Sequence, residues 1–379
     1  MPALMSNDSL LIRPLSDQFP ATSRWIYIDA ASSGLLPETA RERVAAVLEA
    51  QLLASFGENH ALSMLQSCRE LFARLVGAGA ADVRLFPSSA EALHAVAAGL
   101  AAGRRSNVVL CPALSRPSFT AFWLGYAQRS GLEVREAVFD RDGFPAAQLE
   151  KLVDAGTAMV ALPVISHARG WRLPVAAIGR LCRDRDVFFL ADGSASAGII
   201  CTDVVQDGID GLFVAADGNA LGIQGAAFVF VAEPRGGRTD FFLRRRMAGN
   251  SRPETPHLLS LAVAQEALRI CDSCGAAEIE RHAVELAEQL RRSLEELGMP
   301  VERPRTGDQL GHVAVVGVAD ADVDAPLRDP GLRKFAEQLA SGRVRCTVRS
   351  GQLQFGFHLY NRLRDVMDVR RIAAQSLSS

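Results

Sequence analysis

A chain of 379 residues, 49% of them hydrophobic, is long enough to bury one large α/β core and a smaller one beside it. Its formal net charge of -2, with acids and bases interspersed, excludes the one-signed field that recruits nucleic acid or an anionic membrane, and neither partner is expected. The basic residues are almost all arginine, and Lys151 and Lys334 are the only lysines, so candidates for amine chemistry are few.

The seven cysteines, Cys68, Cys111, Cys182, Cys201, Cys271, Cys274 and Cys346, fall mostly in apolar runs, as core thiols of a reducing cytosol do. Cys271 and Cys274 form a CxxC, but no second pair stands at zinc spacing, and no metal site is expected. There is no basic segment followed by an apolar one at the N-terminus. Nor does any run approach the roughly 20 apolar residues of a membrane helix. The expectation is a soluble cytoplasmic protein.

In chain order, residues 1–25 are polar and carry Pro2, Pro14 and Pro20, the composition of an arm ordered by docking. WIYIDAASSGLLP then reads as a short strand and a small-residue turn, with Pro37 opening a helix over PETARERVAAVLEAQLLA. His60 to Gly77 is a second amphipathic helix. RLFPSSAEALHAVAAGLAAG follows as strand, tight turn and helix, placing Ser88 and Ser89 at a helix N-terminus. Ser88 with Glu91 also has the spacing of a capping box, which requires no ligand.

Strands and helices then alternate through NVVLCPA, PSFTAFWLGYAQRSG, EVREAVF, AAQLEKLVDAG, AMVALPVIS, VAAIGRLCRDRD and VFFLAD, the pattern of βαβ units on a mostly parallel sheet sandwiched by helices. The run from Phe188 to Val231 adds two further apolar strands and puts Asp192 at the carboxyl end of a buried one, where open α/β sheets hold ligands. FFLRRRM carries Arg244, Arg245 and Arg246, a basic patch or an anion site. Two long helical patterns from Thr255 to about Gly298 lead into short strands, GHVAVVGVA, RVRCTVRSG and LQFGF, and two last helices. The expected organisation is an arm over 1–25, a large α/β domain over 26–256 and a small α+β domain over 257–379.

Three segments carry a family resemblance. WIYIDAASSGLLP is similar to a Y-L-D-x-A-A-x-x-x-L-P opening, Ser88-Ser89-Ala90-Glu91-Ala92 to a phosphate-binding loop, and VRSGQLQFGFHLYNRLRDV to a v-R-x-G-x-l-R-x-S-x-h-x-Y-N-t-x-x-D-i ending. Together with the Phe188–Val231 core, they make the chain resemble, over nearly its whole length, the class V aminotransferase and cysteine desulfurase family of fold-type I pyridoxal phosphate (PLP) proteins, the isopenicillin N epimerase-like branch included.

The resemblance implies a homodimer with a cofactor crevice, but this chain departs from the pattern inside that crevice. The family's S-x-H-K, which ends on the imine-forming lysine, falls on Ala215, Ala216, Asp217 and Gly218. The segment with the ring-stacking histidine becomes Ser115, Arg116 and Pro117. S-H-x-x-N becomes Ser166, His167, Ala168, Arg169 and Gly170. The glutamine after the aspartate is Ala195, and the carboxylate-binding arginine is Gln354. No cysteine follows Arg349 where a desulfurase would carry one.

What the resemblance leaves is a residual PLP or anion cup of Ser88, Ser89, Asp192 and Thr255. Asp192 would hold a pyridinium proton or merely cap the following turn, and Thr255 would reach a phosphate or merely cap a helix. Asp192, Asp217, His167 and Arg116 are the candidate catalytic or ligand-binding residues, with Arg169, Trp171 and Asn219 around them. No internal aldimine is expected, and PLP would bind only noncovalently. The expected function is a repurposed small-molecule enzyme or ligand-binding protein using the old crevice. The alternative is a non-catalytic subunit or regulator of a lysine-bearing partner enzyme.

Overall fold

The computed structural model describes residues 15–100, 105–138, 146–219, 222–232, 256–304, 307–320 and 322–378. Its centre is a seven-stranded sheet. In chain order its strands are β2 (Val83–Phe86), β3 (Asn107–Leu110), β4 (Glu133–Glu136), β5 (Thr157–Pro163), β6 (Phe188–Asp192), β7 (Gly211–Ala215) and β8 (Ala227–Val231). Across the sheet the order is β2-β8-β7-β6-β5-β3-β4, with β8 antiparallel to both neighbours and every other pairing parallel.

Strands β6, β7 and β8 are buried at every position, and apolar apart from the terminal Asp192, because both faces of the sheet are covered. Alternate residues feed different cores: Phe189 and Ala191 of β6 point into one cluster, Phe188 and Leu190 into the other. The first cluster is filled by α2 (Glu58–Leu75), α6 (Val175–Asp184) and α7 (Leu258–Cys274), with Phe72 of α2 stacked 4.6 Å from Phe228. The second is filled by α3 (Ser89–Leu100) and α4 (Pro117–Ser130), whose Trp123 is fully buried. Burying an aromatic or aliphatic side chain stabilises by about 1.5–3 kcal/mol. The two apolar faces are therefore what hold the sheet.

A second, antiparallel sheet has the order β12-β13-β10-β9, built from β9 (Val301–Glu302), β10 (Val313–Val316), β12 (Thr347–Arg349) and β13 (Gln352–Gly356). The long α8 (Ala276–Glu296) packs on it together with α9 (Pro330–Ser341) and α10 (Leu363–Ser378). RVRCTVRSG is not one strand. It breaks at Cys346, because β11 (Val344–Arg345) pairs in parallel with β1 (Ile26–Tyr27) instead of joining this sheet. The residues before β1 are short 3-10 turns docked through Phe19, buried 5.0 Å from Tyr360. Residues 1–14 of the arm expected over 1–25 lie outside the described residues. Helix α1 (Glu38–Leu52) lies along α7, and α5 (Ala146–Leu152) precedes β5.

Candidate functional site

The strand order reverses at β3. The chain steps outward from β3 to β4, then returns to place β5 on β3's other side and continues through β6 and β7. Ligands of open α/β sheets bind outside the carboxyl ends at such a switch point. The loops leaving that edge carry Arg116 after β3, His167 after β5, Asp192 at the end of β6 and Asp217 after β7. The topology thus collects all four candidate residues at one edge of the sheet.

Asp192 is 2% exposed. Its Oδ1 accepts a hydrogen bond from the Ser194 N–H at 2.9 Å, the turn-capping role, while its Oδ2 is buried without a partner. Burial pushes this carboxyl above the usual range, partly offset by the Arg116 charge and by Ser194. A buried acceptor with no donor costs about 1–3 kcal/mol, a cost that protonation or an N–H donor would each relieve.

The turn after β7 is folded tightly against the Asp192 turn. The Asn219 N–H donates to Ser194 O (3.3 Å), and the Asn219 Nδ2 donates to Ala195 O (2.6 Å). Its own carbonyl accepts from His358 Nε2 (3.0 Å), and the Gly34 N–H donates to Gly218 O (3.3 Å). Gly218 is what allows this closeness: a Cβ there would lie 2.3 Å from Ser194 O. Asn219 is consequently a structural brace and not a lining group. Gly170, where the family pattern has an asparagine, is likewise closed: its φ is +65° and a Cβ would stand 2.5 Å from Val313 Cβ.

Helix α3 starts at Ser89, and the Ser88 hydroxyl is committed to capping it: the Glu91 N–H donates to this hydroxyl (3.2 Å), which donates to Glu91 Oε1 (3.1 Å). Ser88, Ser89, Gln224, Gly225, His257 and Asp217 line a cleft of about 510 Å³ at this helix end. Thr255, like Arg244 to Arg246, lies outside the described residues.

On the other side, the His167 N–H donates to Leu114 O (2.8 Å), and the His167 carbonyl accepts from Arg349 Nη1 (3.1 Å). The guanidinium of Arg116, two residues from Leu114, has no hydrogen-bond or ion-pair partner among the described residues, while its backbone carbonyl accepts from the Thr120 N–H. Burial and then the charges of Arg349 and Arg116 push the His167 imidazole down to about 3, so it is neutral across the physiological range. Arg349 also donates to Gln354 Oε1 (2.8 Å), and Gln354 Nε2 donates to Ala168 O (2.6 Å). Arg349 is the residue that sequence reasoning used only as a landmark. Its Nη1 on Oε1 places a guanidinium beside Gln354. Arg169 instead pairs with Glu302 and sits over the ring of buried Trp171, so these two are structural. Lys151 is exposed on α5, and Lys334 is on α9 beside the second sheet.

Comparison with known proteins agrees with this architecture. A relative, the uncharacterized aminotransferase YcbU of Bacillus subtilis, is 24% identical over 374 residues, spanning 95% of this chain and 96% of its own. A probable cysteine desulfurase of Methanothermobacter thermautotrophicus is 31% identical over 169 residues, 44% of this chain and 41% of its own. The apo cysteine desulfurase of Thermococcus onnurineus superposes with a TM-score of 0.79 at 19% identity, covering 96% of this chain and 97% of that one. A lysine-to-alanine mutant of C-DES with glycine covalently linked to the PLP cofactor superposes with a TM-score of 0.76 at 19% identity, covering 94% and 98%. These superpositions establish the fold. The aminotransferase class-V family model matches residues 26–366, and on that match the chain belongs to the class V aminotransferase family.

Proposed function

We propose that this chain uses the family's crevice to hold a small molecule noncovalently and does not anchor PLP through a lysine. One observation carries the reading: the position after β7 is a glycine whose Cβ would meet Ser194 O at 2.3 Å. The chain's two lysines, Lys151 and Lys334, stand on outlying helices. PLP acts as an electron sink for carbanions formed next to an amine, and the protein ordinarily supplies a lysine to hold it and to move protons. Part of the crevice suits such a group, since the unpartnered Asp192 Oδ2 fits a pyridinium N–H. The anchoring position does not fit, and no reaction step is assigned through the cofactor.

Noncovalent retention is supported by the C-DES mutant, which carries PLP linked to glycine although its lysine is alanine. Asp192, Arg116 and His167 are the groups this chain offers to a ligand. His167 serves as a neutral hydrogen-bonding partner and not as a cation. The test is incubation with PLP, borohydride reduction and peptide mass spectrometry, alongside absorbance in the imine band. No imine band and no stoichiometric adduct at Lys151 or Lys334 are expected; a stoichiometric lysine–PLP adduct would overturn the proposal.

A second reading, a non-catalytic subunit of a homodimer or of a complex with a lysine-bearing relative, is favoured by the exposed leucines of α1 and its end. Leu52 and Leu53 are 86% and 71% exposed, and Leu48 is 44% exposed. Apolar groups clustered in this way mark association surfaces. Light scattering on the purified chain decides it: a strict monomer at micromolar concentration removes the homodimer, and failure to co-elute with an active relative removes the complex.

A further inference from the structure

The cleft at the N-terminus of α3 is built in a way that opposes a phosphate. Its described lining residues include Asp217 and His257 but no lysine or arginine. Asp217 makes no hydrogen bond or ion pair with any described residue, so no described group compensates the charge it brings to the cleft. Glu91 adds a second carboxylate close by, held on the Ser88 hydroxyl at 3.1 Å, and that bond removes Ser88 as a donor to any ligand. Among the described residues, what remains to attract an anion is the end of one helix, the Ser89 hydroxyl and the side chains of Gln224 and His257, none of which carries a full positive charge as a lysine or arginine would. A helix end amounts to about half a positive charge, less than the full negative charge that Asp217 brings to the same cleft.

We propose that Asp217 is a specificity-determining residue that makes this end of the crevice accept a hydroxyl or ammonium group and reject a phosphate, so that the site takes an unphosphorylated small molecule. The inference rests on the noncovalent reading of the crevice given above and narrows its ligand class. An alcohol O–H or an ammonium N–H donates to the Asp217 carboxylate and gains from its charge. A phosphate oxygen has no proton to offer and carries charge of the same sign. No covalent step is involved.

Pyridoxal and pyridoxal 5'-phosphate differ only in this group, and calorimetric titration of both into the wild-type protein and Asp217→Asn tests the proposal. Because Asp217 bonds no described residue, the variant is expected to fold, and its denaturation midpoint serves as the control. The wild type should bind pyridoxal at least as tightly as its phosphate. Removing this charge from a partly enclosed cleft should tighten the phosphate ester about tenfold or more, while pyridoxal, which loses a charge-assisted hydrogen bond, should bind no more tightly than before. Wild-type preference for the phosphate by about tenfold, or an unchanged ratio in the variant, overturns the proposal. If neither compound binds, inorganic phosphate separates the two claims. A gain of phosphate affinity in Asp217→Asn upholds the exclusion by Asp217 and removes the crevice-ligand reading, whereas equal phosphate affinity removes both.

Discussion

The closure of the turn at Gly218 has a measurable consequence. Adding one methyl group by Gly218→Ala places a Cβ 2.3 Å from Ser194 O, about 1 Å inside van der Waals contact. The neighbour is backbone, so no side chain can rotate away. Relief requires the two turns to separate, and they are joined by Asn219 N to Ser194 O (3.3 Å) and Asn219 Nδ2 to Ala195 O (2.6 Å). Losing or stretching two bonds at roughly 1 kcal/mol each, together with repacking strain of about 1–3 kcal/mol, gives an expected destabilisation of about 2–4 kcal/mol. Denaturant unfolding of Gly218→Ala against wild type, with the midpoint and slope both fitted, measures it. Gly218→Lys should lose at least as much and should gain no imine band with PLP, since its side chain has to leave through the same closed turn. A Gly218→Ala variant within about 0.5 kcal/mol of wild type would show that the turn opens freely, and the steric argument against a lysine would fall with it.

Two further outcomes follow from buried titratable groups. Asp192 has its carboxyl raised by burial, so the stability it contributes is complete below about pH 3.8 and is lost as pH rises through its folded-state value. Asp192→Asn is accordingly expected to match or exceed wild-type stability by about 1–3 kcal/mol at pH 8, with the advantage gone near pH 4, as read by urea midpoints at the two pH values. A pH-independent loss in the variant would contradict this. His312 and His358 are fully buried, and burial pushes them down to about 3 and about 4 respectively. The stability they contribute is present above about pH 6.5 and is lost as pH falls toward those values, because the unfolded chain takes up the protons first. Each contributes a slope of about 1.4 kcal/mol per pH unit between about pH 6 and 4.5. Asp29, Asp192 and Asp365, raised by burial, work in the opposite sense. Comparing wild type with His312→Gln isolates one histidine, and identical slopes in the two proteins would refute the assignment.

The large sheet was legible because its signals are local. Phe188–Ala191 is apolar at every position, which marks a strand buried on both faces, and the alternation of such runs with helical periods implies parallel crossovers. Ser88 and Glu91 announced a helix cap through spacing alone, and the structure bears out its serine half: the Glu91 N–H donates to the Ser88 hydroxyl, which in turn donates to the Glu91 carboxylate. Where pairing is distant, local pattern failed. Nothing in RVRCTVRSG says that Val344 and Arg345 will pair with Ile26 and Tyr27 more than three hundred residues away. Asn219 read as a lining group because a polar residue in a turn looks available. Its amide is in fact spent on Ala195, and its carbonyl on His358, a residue near the other end of the chain.

The sequence by itself determined that residue 218 is a glycine, that only Lys151 and Lys334 exist, and that Asp192 closes an apolar run. Identity and periodicity are properties of the chain and need no coordinates. The tertiary structure decided that Gly218 is sealed against Ser194, that Asp192 Oδ2 is left without a donor, and that Asp217 shares a cleft with the start of α3. Each of these is a distance between segments set by the packing of strands and helices around them, and such distances are not written in any local stretch of residues.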